Sequence, residues 1–128
     1  MPVYRCTIPK DSLSYEDREH IAQEITRIHC EVTDAPATFV HVFMFEEPNR
    51  EDFAINGSIR HGRTEEQKQD LKNQMRDAVV NRKNIDPDRV TVNTLDVQAR
   101  WTMEGGDVLP EPGEEEAWLA KHASSNPS

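Results

Sequence analysis

One hydrophobic pattern occurs twice in this chain, first as SYEDREHIAQEITRIHCEVTDAPATFVHV over Ser14–Val42 and again, 50 residues later, as TEEQKQDLKNQMRDAVVNRKNIDPDRVTV over Thr64–Val92. Each copy opens on a hydroxyl residue suited to a helix N-cap. Apolar residues then recur at the i, i+4, i+7 spacing of one helical face, as Ile21, Ile25 and Ile28 in the first copy and Leu71, Met75 and Ala78 in the second. The spacing predicts two amphipathic helices at equivalent positions.

Short strand patterns flank both predicted helices. They are Val3–Ile8 and Val40–Glu46 in the first half, and Phe53–Ile59 and Val90–Asp96 in the second. A helix long enough to cross back over a sheet favours parallel pairing of its two flanking strands, with a right-handed crossover. The repeat therefore predicts an α+β fold in which two tandem β-α-β units form a four-stranded sheet with both helices on one face.

The length of 128 residues fits one domain with one core. We expect the first unit over 2–50, the second over 51–97 and a C-terminal arm over 98–122. The arm contains a helical pattern from Glu114 to His122 and is expected to pack on a neighbouring subunit. The polar end, 123–128, is expected to be disordered.

Composition points to self-association. Only 35% of the residues are hydrophobic and 30% are charged, with a mean hydropathy of -0.81. Strand residues such as Phe43, Phe45, Val90 and Val92 nevertheless supply apolar side chains to both faces of the predicted sheet, and the helices cover only one face. We therefore expect a homo-oligomer that covers the other face.

Charge and hydropathy exclude several classes of partner. A net charge of -9, with a pI near 5.0, argues against nucleic acid and against an anionic membrane. No apolar run approaches the ~18 residues of a membrane-spanning helix, and the N-terminus lacks a signal-peptide pattern, so we expect a cytoplasmic protein. Cys6 and Cys30 lack CxxC spacing, which indicates a reduced compartment and predicts no metal site.

The N-terminus offers a possible catalytic group. Removal of Met1 ahead of the small Pro2 would expose a secondary amine, and an ordinary α-amino group titrates at roughly 7.7–8.0. Such an amine can act as a general base or acid near neutral pH without a cofactor. The alternative is that proline in second position marks only N-terminal processing.

A β-α-β repeat that begins at Pro2 resembles the tautomerase superfamily, whose members use an N-terminal proline as catalyst. Gly62–Lys68 reads G-R-T-E-E-Q-K and is similar to the stretch that opens a helix in 4-oxalocrotonate tautomerases. Ala22–His29, Arg60–Arg63 and the stretch Leu109–Gly113 are similar to the cis-3-chloroacrylic acid dehalogenase group. The resemblance runs to about Trp118 and implies a tautomerase (macrophage migration inhibitory factor-like) fold, a homotrimer and no cofactor.

The resemblance also implies roles for individual residues. Pro2 would be the acid/base, His29 would assist binding, and Arg60 and Arg63 would bind a substrate carboxylate. From the residues alone, a buried core histidine and a solvated Arg-x-x-Arg loop are the alternatives, although paired guanidinium groups ahead of a helix N-terminus can form an anion site. Tyr4 is a candidate pocket wall that is more often a core residue.

The last strand and the arm carry the remaining candidates. Glu104 matches the group's water-activating glutamate, while its tyrosine partner is replaced by Asn93, which can hydrogen-bond but cannot exchange a proton near neutral pH. By composition alone, Glu104 would be an ordinary surface carboxylate in an acidic chain. We expect Asn93 to contact substrate without activating water.

The resemblance implies an isomerase: a cofactor-independent keto–enol tautomerase of 2-hydroxy-2-enoates or arylpyruvate enols of the phenylenolpyruvate type, with at most low dehalogenase activity. One alternative is a hydratase or dehalogenase of cis-3-haloacrylates or acetylenic acids. The other is a non-catalytic binding or signalling trimer, which would have no need of the arginines and the glutamate. A small substrate bearing a carboxylate is the expected ligand.

Overall fold

The computed structural model describes residues 2–101, 103–104, 106–108, 110 and 113–123. Its main elements are β1 (Val3–Pro9), α1 (Tyr15–Thr33), β2 (His41–Glu47), β3 (Phe53–Arg60), α2 (Glu65–Lys83), β4 (Val90–Val97), β5 (Met103–Glu104), β6 (Asp107–Val108) and α3 (Glu115–Ala123). Short 3-10 turns lie at Ala37–Phe39, Pro87–Arg89 and Ala99–Trp101.

The two β-α-β units form one mixed sheet in the order β2-β1-β3-β4. β1 pairs with β2 in parallel and β3 pairs with β4 in parallel, as the repeat predicts. The units join through antiparallel pairing of β1 with β3, in a register that sets Val3 opposite Ser58. The α+β fold class is therefore confirmed.

Both long helices begin at a capping box. The Ser14 side chain accepts from the backbone N–H of Asp17, whose carboxylate accepts from the Ser14 N–H in return. Thr64 and Gln67 make the same reciprocal pair ahead of α2. Because each box satisfies backbone donors that a helix end leaves unpaired, the two predicted starts are confirmed.

The core lies between the helices and one face of the sheet. Its largest fully buried side chains are Tyr4, Ile21, Ile25, Ile28, Ile55, Ile59, Leu71, Met75 and His29. On α2 the third buried position is Val79, and the predicted Ala78 packs at the edge of the core. The i, i+4, i+8 spacing of these α2 residues keeps the apolar stripe on the side that faces the sheet.

The opposite sheet face, called here the open face, has no covering element among the described residues. Phe43 and Phe45 are 50% and 49% exposed, and Leu95 is 65% exposed. Val90 and Val92 point the other way and are buried. Apolar residues therefore lie on both sides of the sheet, as the sequence predicts.

The C-terminal arm adds a small hairpin, β5–β6, which the sequence did not predict, and then α3. The Trp118 indole N–H donates to the Val108 carbonyl at 2.8 Å, which ties α3 to the hairpin. The arm lies against the end of β3 in its own chain, where Arg60 contacts it. The expected disordered end falls, from residue 124 on, outside the described residues. None of the described helices is long and apolar enough to span a membrane.

Candidate active site

Sheet register brings the N-terminus to the end of β3. Because Val3 is opposite Ser58 in an antiparallel pair, Pro2 lies beside the last residues of β3, where Arg60 is located. The C-terminal turns of α1 pass over the same end of the sheet and contribute His29. Segments distant in sequence thus meet at one edge of the fold.

A cavity of about 470 Å³ opens at this meeting point. Its lining includes four of the predicted site residues, Pro2, His29, Arg60 and Arg63. The remaining wall is mainly apolar and comes from the loop after α1 and from the arm, through residues that include Pro36, Phe39, Trp118 and Leu119. A few convergent polar groups in an apolar cleft are typical of a small-molecule site.

Pro2 is held by backbone pairing. Its carbonyl accepts from the His41 N–H at 3.0 Å, which continues the ladder between β1 and β2 by one residue. The residue is buried, and it forms part of the cavity lining. Met1 lies outside the described residues, so the processing of the N-terminus stays a prediction.

The two arginines line the cavity and differ in their recorded contacts. Arg60 donates to the Pro110 carbonyl and forms an ion pair with Glu115, Nη1 to Oε1, at 3.2 Å. Arg63 makes a long contact from Nη1 to the Thr33 carbonyl at 3.5 Å. The Nε atoms of both side chains are buried and have no partner among the described residues. Both guanidinium groups thus line the cavity and offer N–H donors of the kind that binds carboxylates.

The pKa of Arg63 also fits an anion site formed by the two arginines. Burial, and the positive charge of nearby Arg60, lower the pKa of the Arg63 guanidinium from its ordinary value. Two cations that destabilise each other in a partly desolvated site are relieved when an anion binds between them. The pair therefore forms a cationic site in a chain whose net charge is strongly negative.

His29 is both a core residue and a cavity residue. It is 1% exposed, and its Nδ1 lies 2.6 Å from the Tyr4 hydroxyl, with the two rings edge to face. Burial raises the pKa of Tyr4, so the phenol keeps its proton. No other acceptor is recorded for this hydroxyl among the described residues, and a buried O–H requires one, so Tyr4 donates to Nδ1. The neutral His29 ring then carries its proton on Nε2.

Burial, with a contribution from the Arg63 charge, lowers the pKa of His29 to about 4. The ring is therefore neutral at physiological pH and can serve as a hydrogen-bond donor, not as a cation. His29 is buried and hydrogen-bonded and also lines the cavity, and its role in substrate binding stays a prediction. Tyr4 is a core residue, and its contact with His29 carried no local signal, because the two residues are 25 positions apart.

The structure does not bring Asn93 into this cavity within one chain. Asn93 is exposed on the open face, where it lines a separate cavity of about 550 Å³ with Arg5 and Asn56. Glu104 lies in β5, and its side chain is outside the described part of the structure. The predicted roles of Asn93 and Glu104 stay predictions.

Glu115 is a cavity residue that sequence reasoning missed. The acidic run 114–116 follows a Pro-Gly turn and looks like the usual placement of carboxylates in the first turn of a helix. Only its contact with Arg60, 55 positions earlier, distinguishes Glu115 from its neighbours. In the described part of the chain no group of three or more metal-ligating side chains is found.

Comparisons with known proteins agree on the family. The model of the Tautomerase_3 family, described as "Putative oxalocrotonate tautomerase enzyme", matches residues 1–123. None of the curated proteins compared with the chain matches it.

Solved structures give the same result. The crystal structure of native Ps01740 is 31% identical with a TM-score of 0.77, covering 80% of this chain and 99% of that one. N1, a member of the cis-3-chloroacrylic acid dehalogenase family, is 29% identical with a TM-score of 0.80, covering 96% and 94%. Native fused 4-OT shares the fold at 16% identity, with a TM-score of 0.76 and coverage of 83% and 94%.

Proposed function

Because the chain belongs to the Tautomerase_3 family, in the cis-3-chloroacrylic acid dehalogenase-like part of the tautomerase superfamily, we propose that it is a cofactor-independent keto–enol tautomerase. Its substrates would be 2-hydroxy-2-enoates or arylpyruvate enols of the phenylenolpyruvate type. The observation that carries the proposal is that Pro2, His29, Arg60 and Arg63 line one cavity with an apolar wall.

The chemistry needs one base and one anion site. In the proposed step the neutral amine of Pro2 takes the proton of the enol hydroxyl, and the resulting ammonium returns a proton to C3, which leaves the 2-oxo acid. Positioned acid/base catalysis of this kind contributes ~10²–10⁴-fold. The neighbouring arginines would stabilise the enolate oxygen as its charge develops.

The other cavity residues position the substrate. Arg63 and Arg60 would hold the 1-carboxylate, and His29 would donate from Nε2 to the carboxylate or to the 2-oxygen. Phe39 and Trp118 offer apolar surface for an aryl or alkyl group. A carboxylate at one end and an apolar tail at the other match the cavity.

Hydration or dehalogenation of cis-3-haloacrylates or acetylenic acids is the second candidate. The 29% identity with a member of the cis-3-chloroacrylic acid dehalogenase family favours it. The replacement of the expected tyrosine by Asn93 removes a proton-exchanging partner for Glu104, because an amide cannot exchange a proton near neutral pH. We therefore place this activity below tautomerisation.

We also infer that the protein is a homotrimer that covers the open face and that it works in the cytoplasm. In a trimer the open face would meet neighbouring copies, and Asn93 would then act, if at all, in the cavity of another subunit. The exposed Phe43, Phe45 and Leu95 support association. The location stays a prediction from the sequence.

The direct test is ketonisation of phenylenolpyruvate, followed by ultraviolet absorbance. Intact mass must first show the loss of Met1, because an acylated Pro2 nitrogen has no basicity. Pro2→Ala should lose activity by ~10²-fold or more, since the basicity and position of the amine both change. Wild-type activity in this variant would exclude Pro2 as the acid/base, and dehalogenation of cis-3-chloroacrylate faster than ketonisation would favour the second candidate.

A further inference from the structure

Glu115 places a carboxylate of the protein inside the anion site. It is the first residue of α3 and lines the cavity together with Arg60 and Arg63. Its Oε1 lies 3.2 Å from Arg60 Nη1, while its Oε2 accepts from the Gly113 backbone N–H at 2.8 Å. Both oxygens are thus engaged, one with the cationic site and one with the turn that precedes the helix.

The contacts of Glu115 keep its charge in place. Hydrogen bonds from the backbone N–H groups of Glu115 itself and Gly113, together with the positive charges of Arg60 and Arg63, lower the pKa of the Glu115 carboxyl below its ordinary value. The helix that carries it is fixed to the hairpin through Trp118 and Val108. Glu115 is therefore an anion at neutral pH, oriented by two contacts and by its element.

Within the described part of the chain, four charged side chains line the cavity: Arg60, Arg63, Asp34 and Glu115. Glu115 pairs with Arg60, and the negative charge of Asp34 acts on Arg63. The Nη atoms of Arg60 are engaged with the arm, through Glu115 and Pro110. The Nε atoms of both arginines are buried and have no partner among the described residues. Two carboxylates of the protein thus already match the two arginine charges, so a ligand with two carboxylates would bring an excess of negative charge into the cavity.

A second carboxylate on the same ligand would meet an unfavourable surface. The cavity lining also includes Phe39, Trp118 and Leu119, and Glu115 is paired with Arg60 in the same cavity. An anionic tail would be desolvated against the apolar groups and would approach the charge of Glu115. A neutral apolar tail meets neither obstacle.

From this geometry we propose that Glu115 is a specificity-determining residue, which selects monocarboxylates with an apolar tail over dicarboxylates by occupying Arg60 as an internal carboxylate. The inference rests on the proposed function for its substrate class. It goes beyond that function because it assigns discrimination to a residue of the arm that touches the anion site and takes no part in proton transfer.

The test compares Glu115→Gln with the wild-type protein and with Glu116→Gln. Glutamine keeps the length of the side chain and an acceptor for Gly113 but removes the charge. Glu116 is the next residue of the same helix, is exposed and is not in the cavity lining, so its variant controls for the loss of one negative charge on α3. Circular dichroism of each variant verifies the fold.

Two readouts separate this inference from the proposed function. The first is kcat/KM for phenylenolpyruvate and for a 2-hydroxy-2,4-dienedioate. The second is the Kd for two unreactive acids, 3-phenylpropanoate and hexanedioate, measured by calorimetry. In each readout, the preference for the dicarboxylate over the monocarboxylate should rise at least ~10-fold in Glu115→Gln, because a like charge near the tail is removed. It should stay within about twofold of wild type in Glu116→Gln.

Each outcome either supports or overturns the role of Glu115 in specificity. A shift of the binding ratio without any ketonisation supports the role of Glu115 and rejects the proposed function. Ketonisation with unchanged ratios in Glu115→Gln overturns the role of Glu115 and leaves the proposed function intact. An equal shift in Glu116→Gln, or no binding of either acid to any of the three proteins, also overturns it.

Discussion

At the scale of single residues, the two arginines differ in how much of their capacity is already used. Arg60 contacts Glu115 and the Pro110 carbonyl, whereas the recorded hydrogen bond of Arg63 is the long one to Thr33. A substrate carboxylate therefore gains more from Arg63 than from Arg60. Arginine is suited to this task because its planar fork can hold both carboxylate oxygens.

Arg63→Ala should raise the KM for carboxylate substrates more than Arg60→Ala does. Loss of a charge-assisted contact costs ~1.5–3 kcal/mol, which places the effect of Arg63→Ala in the range of about 10- to 100-fold. Lysine should rescue neither position fully, because the bidentate fork is lost. Steady-state kinetics measure both variants, and wild-type kcat/KM in both alanine variants would show that the carboxylate binds elsewhere.

His29 links the site to acid stability. Because burial lowers its pKa from 6.5 to about 4, the ring is neutral in the folded and unfolded states above pH 6.5 and makes no contribution there. As the pH falls from 6.5 towards 4, the unfolded state takes up a proton that the folded state does not, so stability decreases. The slope attributable to this one group is ~1.4 kcal/mol per pH unit.

His29→Gln should remove that slope. Glutamine can still accept from the Tyr4 hydroxyl but does not titrate. Urea unfolding is measured at constant subunit concentration between pH 7 and pH 5. Over this range the free energy of unfolding should fall more steeply for the wild type than for the variant, and the difference in slope should correspond to the uptake of about one proton on unfolding. If the unfolding free energies of the two proteins changed with pH in parallel, His29 would be protonated in the folded state as readily as in the unfolded chain.

At the scale of elements, the Tyr4 ring on β1 leaves no space for a side chain at Gly57 of β3. A Cβ added at Gly57 would lie 2.5 Å from Cε1 and 2.7 Å from Cδ1 of Tyr4. The ring cannot easily move away, because it is fully buried and hydrogen-bonded to His29. Gly57 therefore allows the close approach of backbone and ring that positions His29.

Gly57→Ala should destabilise the protein by ~1–3 kcal/mol, the usual range for overpacking in a core. Ser58→Ala is the matched control, since its side chain points to the opposite face of the same strand. Urea unfolding measures both free energies. Equal stability of the two variants would show that the Tyr4 ring is free to shift, and the Tyr4–His29 contact would then lose its assigned importance.

At the scale of the whole molecule, the open face predicts assembly. We expect light scattering at micromolar concentration to give about three times the 14.7 kDa of one chain. Leu95→Glu should weaken the trimer, because it places a charge on an apolar face that would become buried. Tyr15→Ser is the control, since Tyr15 is 70% exposed on α1, away from the open face. A monomeric wild-type protein would remove the argument for association.

Much of the fold was predictable from sequence because its signals are local. Helix periodicity, the two capping boxes and the short loops each lie within a few consecutive residues, so α1, α2 and the parallel pairing inside each unit follow from them. The N-terminal sequence suggested Pro2, the resemblance to a known family added roles for His29, Arg60 and Arg63, and the structure brings these four into one cavity. The hairpin β5–β6 escaped prediction because its two-residue strands are too short to show a period.

The sequence by itself thus determined the two long helices, the four strands of the main sheet and the candidate chemistry of the N-terminus. Only the tertiary structure decided which residues meet: the antiparallel pairing of β1 with β3 sets Pro2 beside Arg60, and the return of the arm sets Glu115 on that same arginine. The Tyr4–His29 contact likewise joins a strand to a helix. The physical reason is that such contacts depend on strand register and on the shapes of side chains distant in the chain, and no pattern of neighbouring residues records either.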